Sequence, residues 1–531
     1  MGFERGLCPR KLSSLGGKSL VSLEDLTKGA RFVSRLFPFL RSPLTMAESR
    51  AMLRRRIENR EDNFLKLAKR IYETPRSPYR RLLDLAGCAY GDLERMVRRD
   101  GLEAALHLLF RGGVFLTVDE IKGRAPVVRG SAAVDLNPDW LRNLQADYQR
   151  SQVLPDLAFL RELTVNIGLV MESFCKTEWR CLWYVPGRAA AVVLLTLSSF
   201  GSPATRWFSQ VDPSVLQRRY RWGARSICWA GVLAGVPEPY PEYVPLEAPL
   251  SVARWIVDGL RAGHVPHVWT FPSSAVRLCR AAKEAGLDLG GARLTLSGEP
   301  TTDSRLAIIR QAGAEASVVY GSTECGYLAA GCLNPRQADD VHFFHDLYGL
   351  TQPGTDGREY GFPEDALLIS SLHPSAPLVL LNASLGDQAI LRPRQCGCSL
   401  EDYGWRTHLH TIRSYEKLTA GGMTFLDRDV IRVLEEVLPA RYGGAPTDYQ
   451  ILEDEDENGN SCVKLLVHPT LGPLDENAIV DTFLSSMSSR STAEQLMGLF
   501  WRNARLLQVE RRPPVNTGTG KILHLHQRGN R

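Results

Sequence analysis

The 531-residue sequence lacks an apolar run long enough to span a bilayer. Its most apolar windows are residues 104–118 and 189–200, of which the first is interrupted by Arg111-Gly-Gly and the second is too short. The N-terminal residues include several basic side chains but no apolar segment of signal-peptide length. We therefore expect neither a membrane span nor a secretory signal, and we expect the protein to be cytoplasmic.

A strong charge of one sign is also missing. The chain has 64 basic and 59 acidic residues, so its formal net charge is only +5. Arginine clusters such as 54–56 are more typical of solvated helix faces than of a nucleic-acid surface, and we expect no nucleic-acid partner. The 11 cysteines are scattered, which favours a reducing compartment over a disulfide framework.

Two short apolar runs end in polar, glycine-containing turns, with a segment of helical spacing between them. The runs cover 293–296 and 317–319, and the helical segment covers 304–311. This pattern predicts a strand, a helix and a second strand. Ligands of parallel sheets bind beyond the carboxyl ends of the strands, so both turns are expected at a binding site. The turn residues are Ser297, Gly298, Glu299 and Pro300, then Tyr320, Gly321, Ser322, Thr323 and Glu324.

The second turn carries a specific chemistry. Tyr320 offers a flat face, Thr323 offers a hydroxyl, and Glu324 offers a carboxylate suited to a hard cation beside phosphates. Alone it is equally an ordinary loop. Paired with the first turn at this spacing, it resembles the adenine-binding and Thr-Glu motifs of the adenylate-forming superfamily, which includes acyl-CoA synthetases, adenylation domains and luciferases. The phenylacetate–CoA ligase-like branch is the nearest.

Upstream, residues 189–196 form an apolar run that predicts a buried strand, followed by a serine- and glycine-containing segment over 197–205. Such a strand and turn can hold phosphates through backbone N–H groups and hydroxyls. The segment resembles the family's phosphate loop but lacks its lysine, and a plain loop remains an alternative. The matching positions are Thr196, Ser199, Gly201 and Pro203.

Two further stretches follow the order of the family's motifs. Residues 265–272 predict a short strand, and by resemblance its His267, Trp269 and Phe271 line an acyl pocket; ordinary core aromatics are the alternative. Residues 378–387 predict a strand that ends at Gly386-Asp387. By resemblance Asp387 accepts hydrogen bonds from the ribose hydroxyls, a role for which the two oxygens of a carboxylate are suited.

The last motifs lie near the C-terminus. Arg413 resembles a residue that contacts ribose and phosphate, and Glu416 is the best candidate for the hinge between two domains. The tail Thr519-Gly-Lys-Ile522 resembles the family's C-terminal catalytic motif. A lysine on such a loop can reach a carboxylate and an α-phosphate together, so Lys521 is the main catalytic candidate, with Glu324 and Thr323 beside it.

Cysteines and a histidine form a separate group. Cys332, His342, Cys396 and Cys398 offer the sulfur and nitrogen ligands that structural zinc accepts, and a similar arrangement occurs in some phenylacetate–CoA ligase-like proteins. His345 could replace His342. The alternative is that the thiols bind no metal and fill space as small apolar groups.

The resemblance implies an α/β fold in two main parts. A large N-terminal adenylate-forming domain with parallel sheets and helices is expected over 77–412, and a small mobile α+β lid domain over 413–531. Residues 1–76 are expected to form a helical extension, since 46–72 is rich in helix formers. A homodimer is compatible with this plan.

The resemblance also implies a two-step reaction that uses ATP, Mg²⁺ and CoA. A small carboxylic acid, aryl or related by resemblance to the branch alone, attacks ATP to give an acyl-adenylate and pyrophosphate. CoA then takes the acyl group as a thioester. Three alternatives stay open: another acceptor (an amine, another nitrogen nucleophile or a carrier-protein thiol), a non-catalytic nucleotide-binding homologue, and an unrelated α/β protein. Retention of Glu324 and Lys521 argues against the non-catalytic homologue.

Overall fold

The computed structural model has a mixed α/β fold, which confirms the predicted class. It describes residues 32, 34–75, 77–134, 157–174, 179–186, 188–201, 204–212, 214–216, 218–322, 324–376, 378–415, 418–420, 423–425, 427–455, 461–487, 507–517 and 520–527.

The strands, in chain order, are β1 (Val127–Arg129), β2 (Ala132–Val134), β3 (Arg180–Tyr184), β4 (Arg206–Ser209), β5 (Glu242–Tyr243), β6 (His267–Thr270), β7 (Arg293–Ser297), β8 (Glu315–Ser322), β9 (Gly326–Gly331), β10 (Val341–Phe343), β11 (Tyr348–Thr351), β12 (Ala366–Ser371), β13 (Ala383–Pro393), β14 (Thr407–Ser414), β15 (Leu418–Ala420), β16 (Met423–Phe425), β17 (Tyr449–Glu455), β18 (Ser461–Val467), β19 (Leu507–Glu510) and β20 (Leu525–Gln527).

The helices are α1 (Met46–Glu58), α2 (Arg60–Glu73), α3 (Pro78–Leu85), α4 (Tyr90–Asp100), α5 (Leu102–Arg111), α6 (Val118–Ile121), α7 (Leu157–Phe174), α8 (Arg188–Ser198), α9 (Arg218–Ala234), α10 (Leu250–Arg261), α11 (Pro272–Glu284), α12 (Asp303–Gln311), α13 (Asp427–Arg432), α14 (Leu438–Tyr442) and α15 (Glu476–Met487). A π-helical turn, Val433–Val437, joins α13 to α14. Short 3-10 turns cover Gly354–Tyr360, Glu401–Tyr403 and Pro469–Leu471.

One twelve-stranded sheet forms the centre of the molecule, in the order β11-β12-β13-β14-β10-β9-β8-β7-β6-β3-β4-β5. The strands from β8 to β5 in this order are parallel neighbours, and α8 to α12 connect them. The strands from β9 to β11 pair antiparallel. The carboxyl ends of six parallel strands therefore meet at one edge, which we call the carboxyl edge.

Continuous apolar runs produce this parallel half. All four residues of β6 are buried, and Trp183 of β3 and Trp207 of β4 are buried too. Strands of a parallel sheet are covered on both faces, so they are apolar throughout rather than alternating. The turns after these strands are where polar side chains can collect.

The C-terminal residues form a second sheet of four strands, β19-β18-β17-β20. The β17–β18 hairpin is antiparallel, and β20 lies parallel to β17. The π-helical turn and α15 cover the sheet through Val433, Ile451 and Phe483, which share one apolar cluster. The division at 412/413 remains a prediction, and so does the one at 76/77, although α2 shares an apolar cluster with α3 to α5.

The strand–helix–strand unit predicted around the two turns is confirmed as β7, α12 and β8, with β7 and β8 parallel. The strand predicted at 189–196 is wrong, because these residues lie in α8. Alanine and leucine favour a helix here, and residues buried on every side show no period that separates helix from strand. The strand predicted to end at Asp387 is also displaced, since β13 continues to Pro393.

Candidate functional site

Lys521 lies at the carboxyl edge, against the turn that follows β7. Its Nζ donates a hydrogen bond to the Gly298 carbonyl oxygen at 2.7 Å and lies 5.1 Å from the centroid of the Phe271 ring. Gly298 has φ +80°, and a Cβ there would approach Lys521 Nζ and the Phe271 ring to 3.1 Å. The neighbouring Ser297 is hydrogen-bonded through Oγ to the Tyr184 hydroxyl of β3. Residues that follow two neighbouring parallel strands, β6 and β7, thus contact the ammonium group.

A short loop fixes the position of Lys521. Thr517 N–H donates to the Lys521 carbonyl at 2.8 Å, and Gly520 N–H donates to the Thr517 carbonyl at 2.8 Å. Lys521 N–H also donates to Thr517 Oγ1 at 3.1 Å. These bonds close the loop on itself, so the lysine stem starts from a defined point. Thr519 lies outside the described residues.

Gly520 makes the closest backbone approach to the large sheet. It has φ +82°, and a Cβ would lie 2.7 Å from Gln210 Oε1. Gln210 follows β4, and its Nε2 lies 2.7 Å from the Trp183 carbonyl oxygen and 2.9 Å from Ser274 Oγ. Those bonds aim Oε1 at the tail. Sequence reasoning missed Gln210 because a strand-end glutamine carries no local signal for a contact more than 300 residues away.

The environment of Lys521 favours the binding of an anion to its ammonium group. Burial lowers the pKa of Lys521, and the nearby Glu299 carboxylate opposes that shift. Among the described residues, no carboxylate forms an ion pair with Nζ. An anionic group placed here would therefore gain a poorly solvated counter-charge.

The Glu299 carboxylate is bound by other residues of the protein rather than available to a ligand at the carboxyl edge. The carboxylate accepts hydrogen bonds from Ser273 N–H at 2.9 Å and from Ser273 Oγ at 2.8 Å, at the start of α11. Arg305 of α12 pairs with the same carboxylate at 2.9 Å. The N-terminus of a helix favours negative charge, which explains this placement. The predicted nucleotide contact of Glu299 stays a prediction, and its side chain already has a full set of partners.

Arg305 also joins the C-terminal residues to the large sheet. Its Nε lies 2.9 Å from Glu435 Oε1 in the π-helical turn, and His524 Nε2 lies 2.6 Å from the same oxygen. Thr302, the N-cap of α12, donates its hydroxyl to the other Glu435 oxygen. All these side chains are buried. We call Glu299, Arg305, Glu435 and His524 the buried charged cluster; sequence reasoning missed its last three members.

At the second predicted turn, β8 and β9 form a tight hairpin. Ser322 Oγ accepts a hydrogen bond from Cys325 N–H at 3.1 Å. A Cβ on Gly321 would lie 2.1 Å from the Gly326 carbonyl oxygen, so the hairpin requires glycine there. Glu324 lies in the turn and is partly exposed, which suits a cation ligand. Thr323 lies outside the described residues.

The structure brings together two residues that the sequence predicted separately. Tyr320 donates its hydroxyl to Asp387 Oδ2 at 2.9 Å, across 67 residues of chain. Burial and the Asp387 charge raise the pKa of Tyr320, so the phenol stays protonated. A ring beside a carboxylate is a geometry suited to a base and the hydroxyls of its sugar.

Arg413 lies on β14, one position along from the residue that pairs with Asp387. Its NH1 pairs with Asp339 at 2.8 Å, and Asp339 also accepts from the N–H groups of Thr411 and Ile412 at 2.8 Å. Arg413 is therefore anchored beside the predicted ribose residue. Glu416, the hinge candidate, lies outside the described residues.

The segment predicted to hold phosphates has a different geometry. Thr196 and Ser199 are buried, with Thr196 Oγ1 3.4 Å from the Tyr327 hydroxyl and Ser199 Oγ donating to the Leu195 carbonyl at 2.7 Å. These hydroxyls end a helix and face the protein, so the phosphate contact predicted for them has no support here. Gly201 follows with φ +74°, and Pro203 lies outside the described residues.

The three residues predicted to line an acyl pocket separate into two environments. Phe271 lies under Lys521 at the carboxyl edge, as a site residue would. His267 and Trp269 are buried in the sheet, and His267 Nε2 lies 2.7 Å from Thr295 Oγ1. Burial lowers the pKa of His267 to about 3, so its imidazole is neutral. For His267 and Trp269, the alternative that they are ordinary core aromatics fits at least as well as a position in the acyl pocket.

A second candidate site lies away from the carboxyl edge, where β9, β10 and β14 meet. One ligand atom from each of Cys332, His342, Cys396 and His408 lies within 4.8 Å of the others. Cys398 adds a thiol 3.3 Å from His342 Nε2. The sequence predicted all of these except His408, whose partners are remote in the chain. His345 is not in the group.

Hydrogen bonds orient both imidazoles toward the thiols. His342 Nδ1 donates to the Trp405 carbonyl at 2.5 Å, and His408 Nδ1 donates to Asp340 Oδ1 at 2.6 Å. Both Nε2 atoms are thereby left as acceptors, and His408 Nε2 is buried with no hydrogen-bond partner among the described residues. Metal-binding histidines are commonly oriented in this way. The donor set fits zinc, which takes sulfur and nitrogen ligands in a tetrahedron.

No protein-family model matches the sequence, and no curated protein matches it. Among solved structures, a 2-hydroxyisobutyryl-CoA ligase in its postadenylation state, in complex with R3-HIB-AMP, has a TM-score of 0.49 at 15% identity, over 93% of this chain and 92% of that one. The amide bond synthetase McbA from Marinactinospora thermotolerans has a TM-score of 0.38 at 13% identity, over 69% and 63%.

The O-succinylbenzoate coenzyme A synthetase MenE from Bacillus subtilis, solved with ATP and magnesium, has a TM-score of 0.38 at 12% identity, over 69% of this chain and 64% of that one. These likenesses are weak and add no weight to any function. The functional case depends on the residues of this chain.

Proposed function

We propose that this protein activates a carboxylic acid with ATP as an acyl-adenylate and then transfers the acyl group to CoA. The observation that carries the proposal is the position of Lys521. A glycine loop delivers its ammonium group to the carboxyl edge, against Gly298 and Phe271, with no carboxylate partner among the described residues. A cation held there suits a reaction in which negative charge gathers on phosphoryl oxygens.

In the first step, a carboxylate oxygen of the acid attacks the α-phosphorus of ATP. The new bond is the acyl–phosphate bond, the broken one joins the α- and β-phosphates, and pyrophosphate leaves with the electron pair. Lys521 attracts both the attacking carboxylate and the α-phosphate. Tyr320 and Asp387 would bind the nucleoside, and Glu324 would hold Mg²⁺, which would supply charge neutralisation at the phosphates.

In the second step the CoA thiol attacks the acyl carbon, AMP leaves, and the thiol proton passes to solvent. The Lys521 loop occupies the edge during the first step, so the C-terminal residues must move before a thiol can enter. Glu416 is the proposed hinge, with 77–412 and 413–531 as the moving parts. The buried charged cluster is the contact that this motion breaks.

We also propose that Cys332, Cys396, His342 and His408, with Cys398 as a competing ligand, hold a structural zinc ion. The support is the paired orientation of the two imidazoles and the buried His408 Nε2 without a partner. A zinc ion would tie β9, β10 and β14 together. Metal analysis of the purified protein checks this proposal.

Pyrophosphate release from Mg-ATP tests the main proposal, with a panel of aryl, aliphatic and amino acids, in the presence and absence of CoA. We expect release with one class of acid, loss of that release in Lys521→Ala, and retention in Lys283→Ala, a matched exposed lysine on α11. A CoA-dependent thioester supports the second step. Pyrophosphate release that does not depend on CoA indicates that the acyl acceptor is an amine or a carrier-protein thiol. Failure to bind ATP refutes the proposal.

A further inference from the structure

The outward face of α9 carries large apolar side chains that the proposed reaction does not use. Trp222 is 65% exposed, Trp229 75%, Val232 66% and Leu233 75%. Their spacing places them along one side of the helix. The opposite side is buried in the main apolar cluster through Ala224, Ile227, Ala230 and Ala234. We call the exposed side the α9 face; exposed apolar groups this concentrated mark an interaction surface.

The same segment is strongly basic. Residues 214–237 contain four arginines and no aspartate or glutamate. The Arg225 guanidinium carbon lies 5.8 Å from the centroid of the Trp222 ring, so charge and aromatic surface are adjacent. The next acid in the chain, Glu238, is buried. A complementary partner must therefore be anionic and must also accept apolar side chains.

A second copy of this chain does not meet these conditions. A two-fold contact places the same surface of both copies together, and residues 214–237 of a second copy offer no aspartate or glutamate to pair with the arginines. An anionic bilayer surface meets both conditions, since it presents phosphate groups above an acyl boundary. Tryptophan is enriched at that depth, arginine reaches phosphate along its stem, and a helix can lie flat in the interface.

We propose that the α9 face attaches this protein to anionic membrane surfaces as a peripheral protein. Among the described residues, no helix is both long and apolar enough to cross a bilayer. The helix is anchored to the core along its inner side, so it presents its outer side without leaving the fold. Tyr240 and Tyr243, both exposed, follow α9 in the chain.

Co-sedimentation of the full chain with lipid vesicles tests the proposal. We expect binding to phosphatidylcholine vesicles that contain phosphatidylglycerol, weak binding to phosphatidylcholine alone, and release at high salt. Arg221→Gln with Arg225→Gln should weaken binding about 25-fold, since each basic residue near an anionic surface contributes about fivefold. Trp222→Ser with Trp229→Ser should weaken binding at every salt concentration.

Matched controls lie on the other helices. Arg95→Gln with Arg99→Gln removes two arginines on α4 that are at least as exposed and already have acidic neighbours, and Leu85→Ser removes an exposed apolar side chain on α3. These variants should bind vesicles normally. Circular dichroism and thermal melting of every variant separate lost binding from lost folding.

The proposal is overturned by no binding to anionic vesicles, by binding that survives both α9 pairs of substitutions, or by a dimer in light scattering that those substitutions dissociate. Binding to immobilised polyglutamate without binding to vesicles also overturns it and points to an acidic protein partner.

Discussion

Replacing Arg305 with methionine tests whether the buried charged cluster holds Lys521 at the carboxyl edge. The change keeps much of the side-chain length and removes a charge that lies 2.9 Å from a carboxylate oxygen of both Glu299 and Glu435. All three side chains are buried, so two carboxylates would lose their counter-ion. Removing one partner of a buried ion pair costs about 3–5 kcal/mol.

That loss weakens the contact between the C-terminal residues and the large sheet. Glu299 follows β7 of the large sheet, whereas Glu435 lies in the π-helical turn of the C-terminal residues. A loss of about 3 kcal/mol lowers the docking equilibrium constant about 100-fold. We expect single-turnover pyrophosphate release to fall by up to that factor. Thioester formation from added acyl-adenylate should change little, because it does not need Lys521 at the edge.

Arg280→Met is the matched control. Arg280 of α11 also reaches across to the C-terminal residues and pairs with Asp448 at 2.7 Å, but its side chain is 35% exposed. A partly exposed pair contributes about 1 kcal/mol or less, so pyrophosphate release should fall less than about fivefold. Equal loss of both half-reactions in Arg305→Met, or equal effects of the two substitutions, would refute the reasoning.

The pH dependence of stability gives an independent check on the same cluster. Burial acts to raise the pKa of Glu435, but Arg305 and His524 outweigh burial and lower this pKa to about 2. An unfolded glutamate has a pKa of about 4.3, so this stabilisation is complete above that pH and is lost as the pH falls toward 2. The shift corresponds to about 3 kcal/mol. Urea unfolding across this range should show a smaller decline in Glu435→Gln; an unchanged decline would contradict the assignment.

Substitutions at Gly520, at Asp387 and Tyr320, and at Cys396 also have defined outcomes. Gly520→Ala should reduce pyrophosphate release at least tenfold, because its φ of +82° and the approach of a Cβ to Gln210 both oppose alanine. Gly286→Ala, at φ +66° with no atom within 4 Å of a Cβ, carries the same kind of backbone strain, about 1–2 kcal/mol, but should leave pyrophosphate release near the wild-type value. Asp387→Asn should raise the KM for ATP more than it lowers kcat, and Tyr320→Phe should raise this KM by a smaller factor. KM values for ATP equal to that of the wild type would contradict a nucleotide role. Cys396→Ser should lower bound zinc and lower Tm by several degrees; unchanged zinc content would remove Cys396 from the ligand set.

The residues that sequence reasoning located share a local signal. The turns after β7 and β8 follow apolar runs and contain glycine, so the strands and the turns could be predicted together. Lys521 lies in a glycine-rich motif of the same kind. The strand predicted at 189–196 was wrong, because residues buried on every side show no apolar period that separates a strand from a helix. Alanine favours a helix, and these residues form α8.

The residues that sequence reasoning missed are defined by long-range pairing. Glu435 lies in an ordinary helical pattern, and only the fold brings it to Arg305, 130 residues earlier. His408 lies on β14, and its proposed role depends on Asp340 and on two cysteines that are remote in the chain, Cys332 and Cys396. Gln210 faces a glycine near the end of the chain. A single sequence offers no measure of such proximity.

The contacts that hold the C-terminal residues against the large sheet are separate from the charge that the proposed reaction would use. The Lys521 ammonium group contacts a carbonyl oxygen and an aromatic face, which are weak partners that an anionic substrate can outcompete. Strong ionic partners are placed elsewhere, around Arg305. If Lys521 itself were paired with a carboxylate, docking would be tighter but its charge would already be neutralised. The arrangement therefore keeps the lysine available and concentrates the buried ionic contacts of the C-terminal residues around Arg305.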